Sequence, residues 1–351
     1  MKHYNIPIFI SHFGCPNSCV FCNQKKINGR ETDVTIEDLI ETIETYLKTL
    51  PKKSKKEVAF FGGTFTGISM GLQKAYLEAT YEYIKRGLID GIRLSTRPDC
   101  INEEIVAQLK KYGVTAVELG VQSLDEEVLL ATERYYPVEV VEKACKLIRE
   151  AGISLGIQLM IGLPKSTAQS DYETAVKALE MKPEMVRIYP TLVIKGTKMA
   201  DMYRGGEYHA LSIEEAIERT RKIYALLEIN GVNIIRVGLQ PSEDLREEGT
   251  VLGGPFHPAF RELVETEIYF DFFKEIVEKE KKLDILANEK SVSRYVGIKK
   301  ANRLRLKEYF NITIDNSIDR DDIVVNGKKY SRLDVLRREL KENEADSNQH
   351  R

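Results

Sequence analysis

The sequence predicts an α/β fold: a parallel sheet covered by helices, followed by a smaller α+β domain. Three observations carry that prediction. Short apolar runs alternate with longer amphipathic segments. Run follows run at the spacing of a βαβ unit of roughly 30 residues. The alternation then stops near residue 245, where Gly/Pro-rich "TVLGGPFHPAF" intervenes. Such alternation suits either a barrel or a doubly wound sheet.

The strands read, in order, "IPIFISH", "EVAFFGG", "GIRLSTR", "AVELGVQS", "SLGIQLMIG" and "MVRIYPT". Between them lie "IEDLIETIETYLKTL", "LQKAYLEATYEYIKRG", "NEEIVAQLKKYG", "VVEKACKLIREAG" and "SDYETAVKALEM", whose apolar residues recur at helical spacing. Gly113 and Gly152 stand where helices stop. A further helix, "IEEAIERTRKIYALLEING", and a strand, "VNIIRVGLQP", close this part. Residues 1–245 therefore form the first domain and 246–351 an accessory one. In the latter, "RELVETEIYFDFFKEIVEKE" and "EKSVSRYVGIKKANRLRLKEYF" read as helical, and "NITIDNS" and "DIVVNGKKYS" as short strands turning at Asn326-Gly327. The polar end, "KENEADSNQHR", reads as a frayed tail.

Of 351 residues, 42% are hydrophobic and 30% charged, and the net charge is −2. No global basic field marks a nucleic-acid binder. No apolar run approaches the roughly 18–20 residues of a membrane span, and no secretory pattern precedes the first strand. The expectation is a cytoplasmic enzyme. In that compartment clustered thiols bind metal or do redox work more often than they form disulfides. Cys100 and Cys145 stand alone and read as small buried apolar residues.

Cys15, Cys19 and Cys22 crowd into "GCPNSCVFC", directly after the first strand. In a parallel barrel that position is a βα loop on the catalytic face. Thiolates select zinc or iron–sulfur clusters. Structural zinc needs four ligands, and His12 stands too close in sequence to complete a knuckle with these three. A [4Fe–4S] cluster normally takes four cysteines. With three, one iron keeps an open position, which points to catalysis.

Cys-x3-Cys-x2-Cys with Phe21 before the last cysteine resembles the signature of radical S-adenosylmethionine (SAM) enzymes. That resemblance implies a [4Fe–4S] cluster on Cys15, Cys19 and Cys22, with SAM on the unique iron. It also implies a partial or full parallel (β/α) barrel of the radical SAM type with a small α+β C-terminal domain, and a flavodoxin- or ferredoxin-type electron donor. Gly62-Gly63-Thr64 in "FFGGTFTG" resemble the glycine motif that receives the methionine amino group; a tight strand-to-helix turn explains the same glycines. Ser95, Gln122 and Gln158 fall near strand ends, where they either bind ribose and adenine or satisfy loop backbone.

A wider set, including "IRLSTRPD", "VELGVQS", "MIGLP", "VRIYPTLVIKGT", "RVGLQPSED" and "GGPFHPAFRELV", resembles the radical domain of the elongator catalytic subunit family. The short bacterial members, without its basic extension or acetyltransferase, are the nearest in pattern. One departure is "ATERYYPVEVV", where relatives usually read Arg-Gly-His. Arg134 remains, suited to the methionine carboxylate, while Tyr135 and Tyr136 either line a pocket for a flat ring or pack under the loop. Together with the net charge, these departures favour a small or nucleobase-sized substrate, and queuine cleavage to a 7-deazaguanine base fits best. Asp99, Glu243 and Asp244 are the carboxylates that such a base would pair with, and Tyr189 and His257 are candidates at the same mouth. A radical tRNA wobble-base modifier is the rival enzyme. A non-catalytic, cluster-bearing RNA-binding or scaffold protein is the rival of another class.

Overall fold

The computed structural model describes residues 2–10, 15, 19–23, 34–239 and 243–347. His12, a candidate ligand in the sequence, lies outside them.

Seven strands form one parallel sheet: β1 (His3–Ile10), β2 (Lys55–Gly62), β3 (Gly91–Thr96), β4 (Val114–Gln122), β5 (Ser154–Ile161), β6 (Met185–Pro190) and, beyond a short β7 (Val193–Ile194), β8 (Asn233–Val237). Neighbours in the sheet follow chain order, β1-β2-β3-β4-β5-β6-β8. The sheet does not close: among the described residues β1 pairs only with β2 and β8 only with β6. It is nonetheless strongly curved. Strands stand about 4.8 Å apart, so β2 and β6 would be about 19 Å apart if flat. Yet the Arg187 guanidinium of β6 lies 5.4 Å from the Phe61 ring of β2. The barrel is partial.

Strand alternation sorts residues onto two faces. Ile6, Ile8 and Ile10 of β1, Val58 and Phe60 of β2, Val117 and Leu119 of β4, and Leu155, Ile157 and Leu159 of β5 are buried in one apolar core on the helix side. The register puts Phe9 beside Phe61, Ser95 beside Glu118, Gly120 beside Gln158, and Gln158 beside Arg187 on the concave side. The outer face is aliphatic and the inner face polar and aromatic, which is the division a ligand-holding half-barrel needs.

The covering helices start and stop where their sequences dictate. Thr35, Thr167 and Ser212 form capping boxes for helices Ile36–Thr49, Ala168–Glu180 and Ile213–Ile229, satisfying N–H groups with no intrahelical partner. Gly113 and Gly152 adopt φ of 73° and 75° just past their helices, as C-terminal stops do.

After β8 the chain forms β9 (Val251–Gly253), which pairs antiparallel with β7 in a separate two-stranded sheet, and then helix Phe260–Glu280. The C-terminal unit then carries a four-stranded sheet in the order β11-β10-β12-β13, from β10 (Leu283–Ala287), β11 (Phe310–Ile314), β12 (Asp322–Val325) and β13 (Lys328–Ser331). Asn326 and Gly327 turn with φ of 49° and 82°, as expected for the hairpin. The stretch "EKSVSRYVGIKKANRLRLKEYF" is not one helix. It breaks between Val292–Val296 and Ala301–Leu306, where Gly297, Lys299 and Lys300 all have positive φ. A Cβ on Gly297 would stand 2.8 Å from Thr266, so close packing selects the break. Strand β10 and helix Arg332–Ser347 are new relative to the sequence reading, and the latter runs into the segment read as frayed. Arg332 joins the two units: it donates to Glu228, Glu265 and the Tyr224 hydroxyl, with a side chain 8% exposed.

Candidate active site

The C-terminal ends of β1 to β5 converge on one cavity, lined by Cys15, Cys19, Phe21, Cys22, Gly62, Gly63, Thr64, Ser95, Thr96, Arg97, Gly120, Gln122, Arg134 and Gln158. The cysteine turn is anchored from behind. The Val20 N–H donates to the Thr132 carbonyl, and the Val20 carbonyl accepts from Met199. Val20 itself is buried with Val193, Met199, Ala200 and Tyr208, and Phe21 packs beside them. The Cys22 N–H closes the turn on the Cys19 carbonyl at 3.0 Å.

Each neighbouring strand adds a distinct group. Gly62 ends β2 at φ 101°, and the Gly63 N–H donates to the Ile10 carbonyl of β1. Such a φ is readily reached only by glycine. Thr64 is buried, with its hydroxyl 3.0 Å from the Cys15 sulfur. Gln158 donates to Ser95 at 3.3 Å across the intervening β4. Gln122 follows a bulge in the β4–β5 register and adopts φ 70°. A left-handed glutamine is uncommon and marks a built feature. Its amide oxygen is buried with no hydrogen-bond partner among the described residues, an unmet acceptor of the kind that a ligand's N–H satisfies.

Two arginines converge on Cys19. Arg97 and Arg134 each place Nη1 3.3 Å from its sulfur. Arg97 is braced by a two-point ion pair with Asp99, at 2.9 and 2.7 Å. Arg134 donates to the Tyr136 hydroxyl and the Gly120 carbonyl. Both guanidinium groups flank the Tyr136 ring, at 5.4 and 5.2 Å. Burial opposes their charge, but Asp99 for Arg97, and the Tyr136 hydroxyl and Cys19 for Arg134, outweigh it and hold both above the ordinary arginine value.

The sequence-derived candidates divide accordingly. The three cysteines, Phe21, Gly62, Gly63, Thr64, Ser95, Gln122, Arg134 and Gln158 all meet at the cavity. The substrate candidates do not. Tyr136 is buried between the arginines, and Tyr135 is 62% exposed and outside the cavity lining. Asp99 is committed to Arg97. His257 accepts from the Ala259 N–H at the start of helix Phe260–Glu280. Tyr189 stands on the concave face beside Arg187. Glu243 and Asp244 begin the short helix Glu243–Arg246, and their side chains lie outside the described residues. Arg97 and Thr96 were missed by sequence reasoning, although Arg97 sits at a strand end two residues before Asp99, the residue chosen from the same "TRPD". Cys145 is buried as expected, and burial pushes its thiol up to about 12; Cys100 is only half-buried.

Among the described residues no three His, Cys, Asp or Glu side chains group to hold a metal ion. Three thiols, an orphaned buried amide oxygen and two guanidinium groups fit a cluster carrying a zwitterionic ligand better than a lone ion. A larger groove, about 820 Å³, lies outside between helices Val138–Glu150 and Ala168–Glu180. It lacks the convergent cysteines and strained backbone of the cavity.

Comparison with known proteins agrees with this geometry. A family model described as the radical SAM superfamily matches residues 9–179, and one described as the radical SAM C-terminal domain matches 183–269. The tRNA uridine(34) acetyltransferase of Methanocaldococcus infernus is 30% identical over 254 residues, covering 61% of this chain and 47% of that protein. An uncharacterized protein of Methanocaldococcus jannaschii is 31% identical over 228 residues, covering 62% of this chain and 69% of the relative. The solved structure of archaeal Elp3 from Methanocaldococcus infernus, with an N-terminal deletion, superposes with a TM-score of 0.59 at 24% identity, over 80% of this chain and 63% of that one. The chain thus spans about half the length of the acetyltransferase that it matches. No helix among the described residues is long and apolar enough to cross a membrane.

Proposed function

Because this chain belongs to the radical SAM superfamily, we propose that it uses the cavity at Cys15, Cys19 and Cys22 to open a modified nucleobase, most specifically queuine, releasing its 7-deazaguanine core. Its cofactors, as a superfamily member, are a [4Fe–4S] cluster and SAM. When bound, they supply a carbon-centred radical that takes a hydrogen atom from an unactivated C–H bond.

The convergence of three cysteines with Gly62-Gly63-Thr64, Gln122 and two arginines carries the reading. In it, Cys15, Cys19 and Cys22 hold the cluster. The backbone at Gly62 and Gly63, with the orphaned Gln122 oxygen, receives the cofactor's amino group. Arg134, held by Tyr136, faces its carboxylate, and Arg97 adds positive charge beside Cys19. Ser95 and Gln158 form a polar shelf for the ribose and adenine. A flavodoxin- or ferredoxin-type protein delivers the electron. Tyr189 lies nearest the substrate among the side chains first singled out for the reaction.

The net charge of −2 favours a free base over a docked polyanion. The second reading, a tRNA wobble-base modifier, draws support from the 30% identity to a tRNA uridine(34) acetyltransferase. One experiment separates them. The anaerobically reconstituted protein is offered free deazaguanines, nucleosides and tRNA, and 5′-deoxyadenosine formation is measured. Stimulation by queuine with release of the deazaguanine supports the proposal. Stimulation by tRNA alone, weakened steeply by salt, establishes the rival. Cys19→Ala should lose iron and cofactor cleavage while keeping the native circular dichroism; full cleavage by that variant would overturn the cluster assignment.

A further inference from the structure

The concave face continues past the cofactor cavity onto β6, and four side chains on that face lie outside the cavity lining. Gln158 lines the cavity, and its register partner on the next strand is Arg187. Phe61 immediately precedes Gly62, and its register partner is Phe9. Tyr189 stands two residues beyond Arg187, on the same face. We infer that Phe9, Phe61, Arg187 and Tyr189 form the substrate face, and that it takes a neutral planar heterocycle presenting a carbonyl to Arg187. This rests on the reading that the substrate is a nucleobase.

Arg187 is positioned with unusual care for a residue outside the cofactor cavity. Glu118 of β4 accepts from its Nε, and from its Nη2 at 3.2 Å, reaching across the whole of β5. The crossing point is Gly156. A Cβ there would stand 2.9 Å from Glu118 Cγ and 3.0 Å from Met185 Cγ. Glu118 is 1% exposed and is shared with Arg93 at 3.4 Å. A buried ion pair is a poor way to stabilise a fold, since apolar residues of the same volume usually do as well or better. What it does is fix a guanidinium in space. Nε and Nη2 are taken by the carboxylate, whereas among the described residues Nη1 has only the Tyr189 hydroxyl, at 3.4 Å, a long contact for a charged donor. Nη1 and the Tyr189 hydroxyl are thus left to bind a ligand.

The neighbours define its shape and charge. Phe9 is 39% exposed on the concave face, a large apolar surface facing inward. The Arg187 guanidinium lies over the Phe61 ring. Ring walls with one fixed donor suit a flat heterocycle. Glu57 holds Arg93 at 3.1 Å, closer than Glu118 does, so Glu118 is left to balance Arg187, which selects a carbonyl over a phosphate, whose charge an unpaired arginine would hold better. Arginine donating to a purine carbonyl is the commonest base-specific contact of that side chain.

The test measures binding, by calorimetry, of 7-deazaguanine, hypoxanthine and adenine to the anaerobically reconstituted protein carrying SAM. Hypoxanthine has the carbonyl, and adenine has an amine in its place. Wild type should prefer hypoxanthine to adenine, and Arg187→Met should erase that preference, losing about tenfold to a hundredfold in affinity for the two carbonyl bases. Phe9→Leu should weaken all three severalfold. Because Phe9 is partly exposed, this second variant keeps the inference falsifiable if Arg187→Met fails to fold, which iron content and thermal melting will reveal. Carbonyl preference retained in folded Arg187→Met, or Phe9→Leu binding as wild type, overturns the inference and leaves the nucleobase reading standing. A wild type that binds none of the three bases, nor queuine, overturns both.

Discussion

Replacing Gly156 with alanine tests whether the Glu118–Arg187 bridge depends on a missing side chain. Two effects oppose each other. Alanine in a strand interior is ordinarily better than glycine by about 0.5–1 kcal/mol, because glycine loses more backbone freedom on folding. Here the new Cβ would meet Glu118 Cγ at 2.9 Å, Met185 Cγ at 3.0 Å and the Glu118 Cα at 3.4 Å. Two of these atoms lie close to strand backbone and cannot swing aside. Overpacking of this kind costs about 1–3 kcal/mol, so strain wins by up to about 2.5 kcal/mol. At about 2.1 cal mol⁻¹ K⁻¹ per residue, the 351 residues unfold with about 0.7 kcal mol⁻¹ K⁻¹. The expected fall in Tm by calorimetry is therefore up to about 3 °C. Gly71, in helix Met70–Lys85, supplies the control: no atom lies within 4 Å of a Cβ there. Gly71→Ala should raise Tm by about 1 °C. If Gly156→Ala melts at or above wild type while Gly71→Ala behaves as expected, the steric account of the bridge is wrong.

Other outcomes follow from the buried charges. Arg332→Met strips Glu228 of its cation and leaves Glu265 the longer contacts of Arg261 and Arg294, at 3.6 and 3.8 Å; it should cost up to about 3–5 kcal/mol in urea unfolding, and a loss under 1 kcal/mol would show that the two units do not depend on these pairs. Glu57 is buried, which opposes its charge, yet Lys55, Arg93 and Thr115 together hold its carboxyl below the ordinary value of 4.5. A depressed folded pKa contributes stability above the unfolded value and loses it as pH falls through the folded one. Melting temperature should therefore drop below about pH 4.5, and Glu57→Gln should flatten that acid limb; an unchanged acid limb would remove Glu57 as its source. Burial pushes the Cys145 thiol up to about 12, so alkylation at pH 8, followed by mass spectrometry, should be slow until the protein is unfolded.

Much of the cavity lining was legible because its residues sit where the chain order puts them. A βα repeat carries strand ends to one rim, so Cys15, Gly62, Ser95, Gln122 and Gln158 had to share that rim once the strands were recognised. Arg134 followed from resemblance. The substrate candidates fared otherwise, since each was judged by type and not by neighbour. Asp99 looked free until Arg97 took it, and Tyr136 looked like a pocket wall until two arginines enclosed it. In the C-terminal unit, β10 escaped notice because its short run "LDILA" directly follows a long helix, and helix Arg332–Ser347 because its apolar residues are few and it docks on distant helices.

The sequence by itself determined the repeat, the succession of strands along the chain and the spacing of the three cysteines, because periodicity, capping and ligand spacing are local properties. Only the tertiary structure decided that the sheet stays open yet curls enough for Arg187 to reach Phe61. It also decided that Glu118 crosses a glycine to hold that arginine. Those contacts join residues tens of positions apart, and curvature is a sum over seven strands that no single strand encodes.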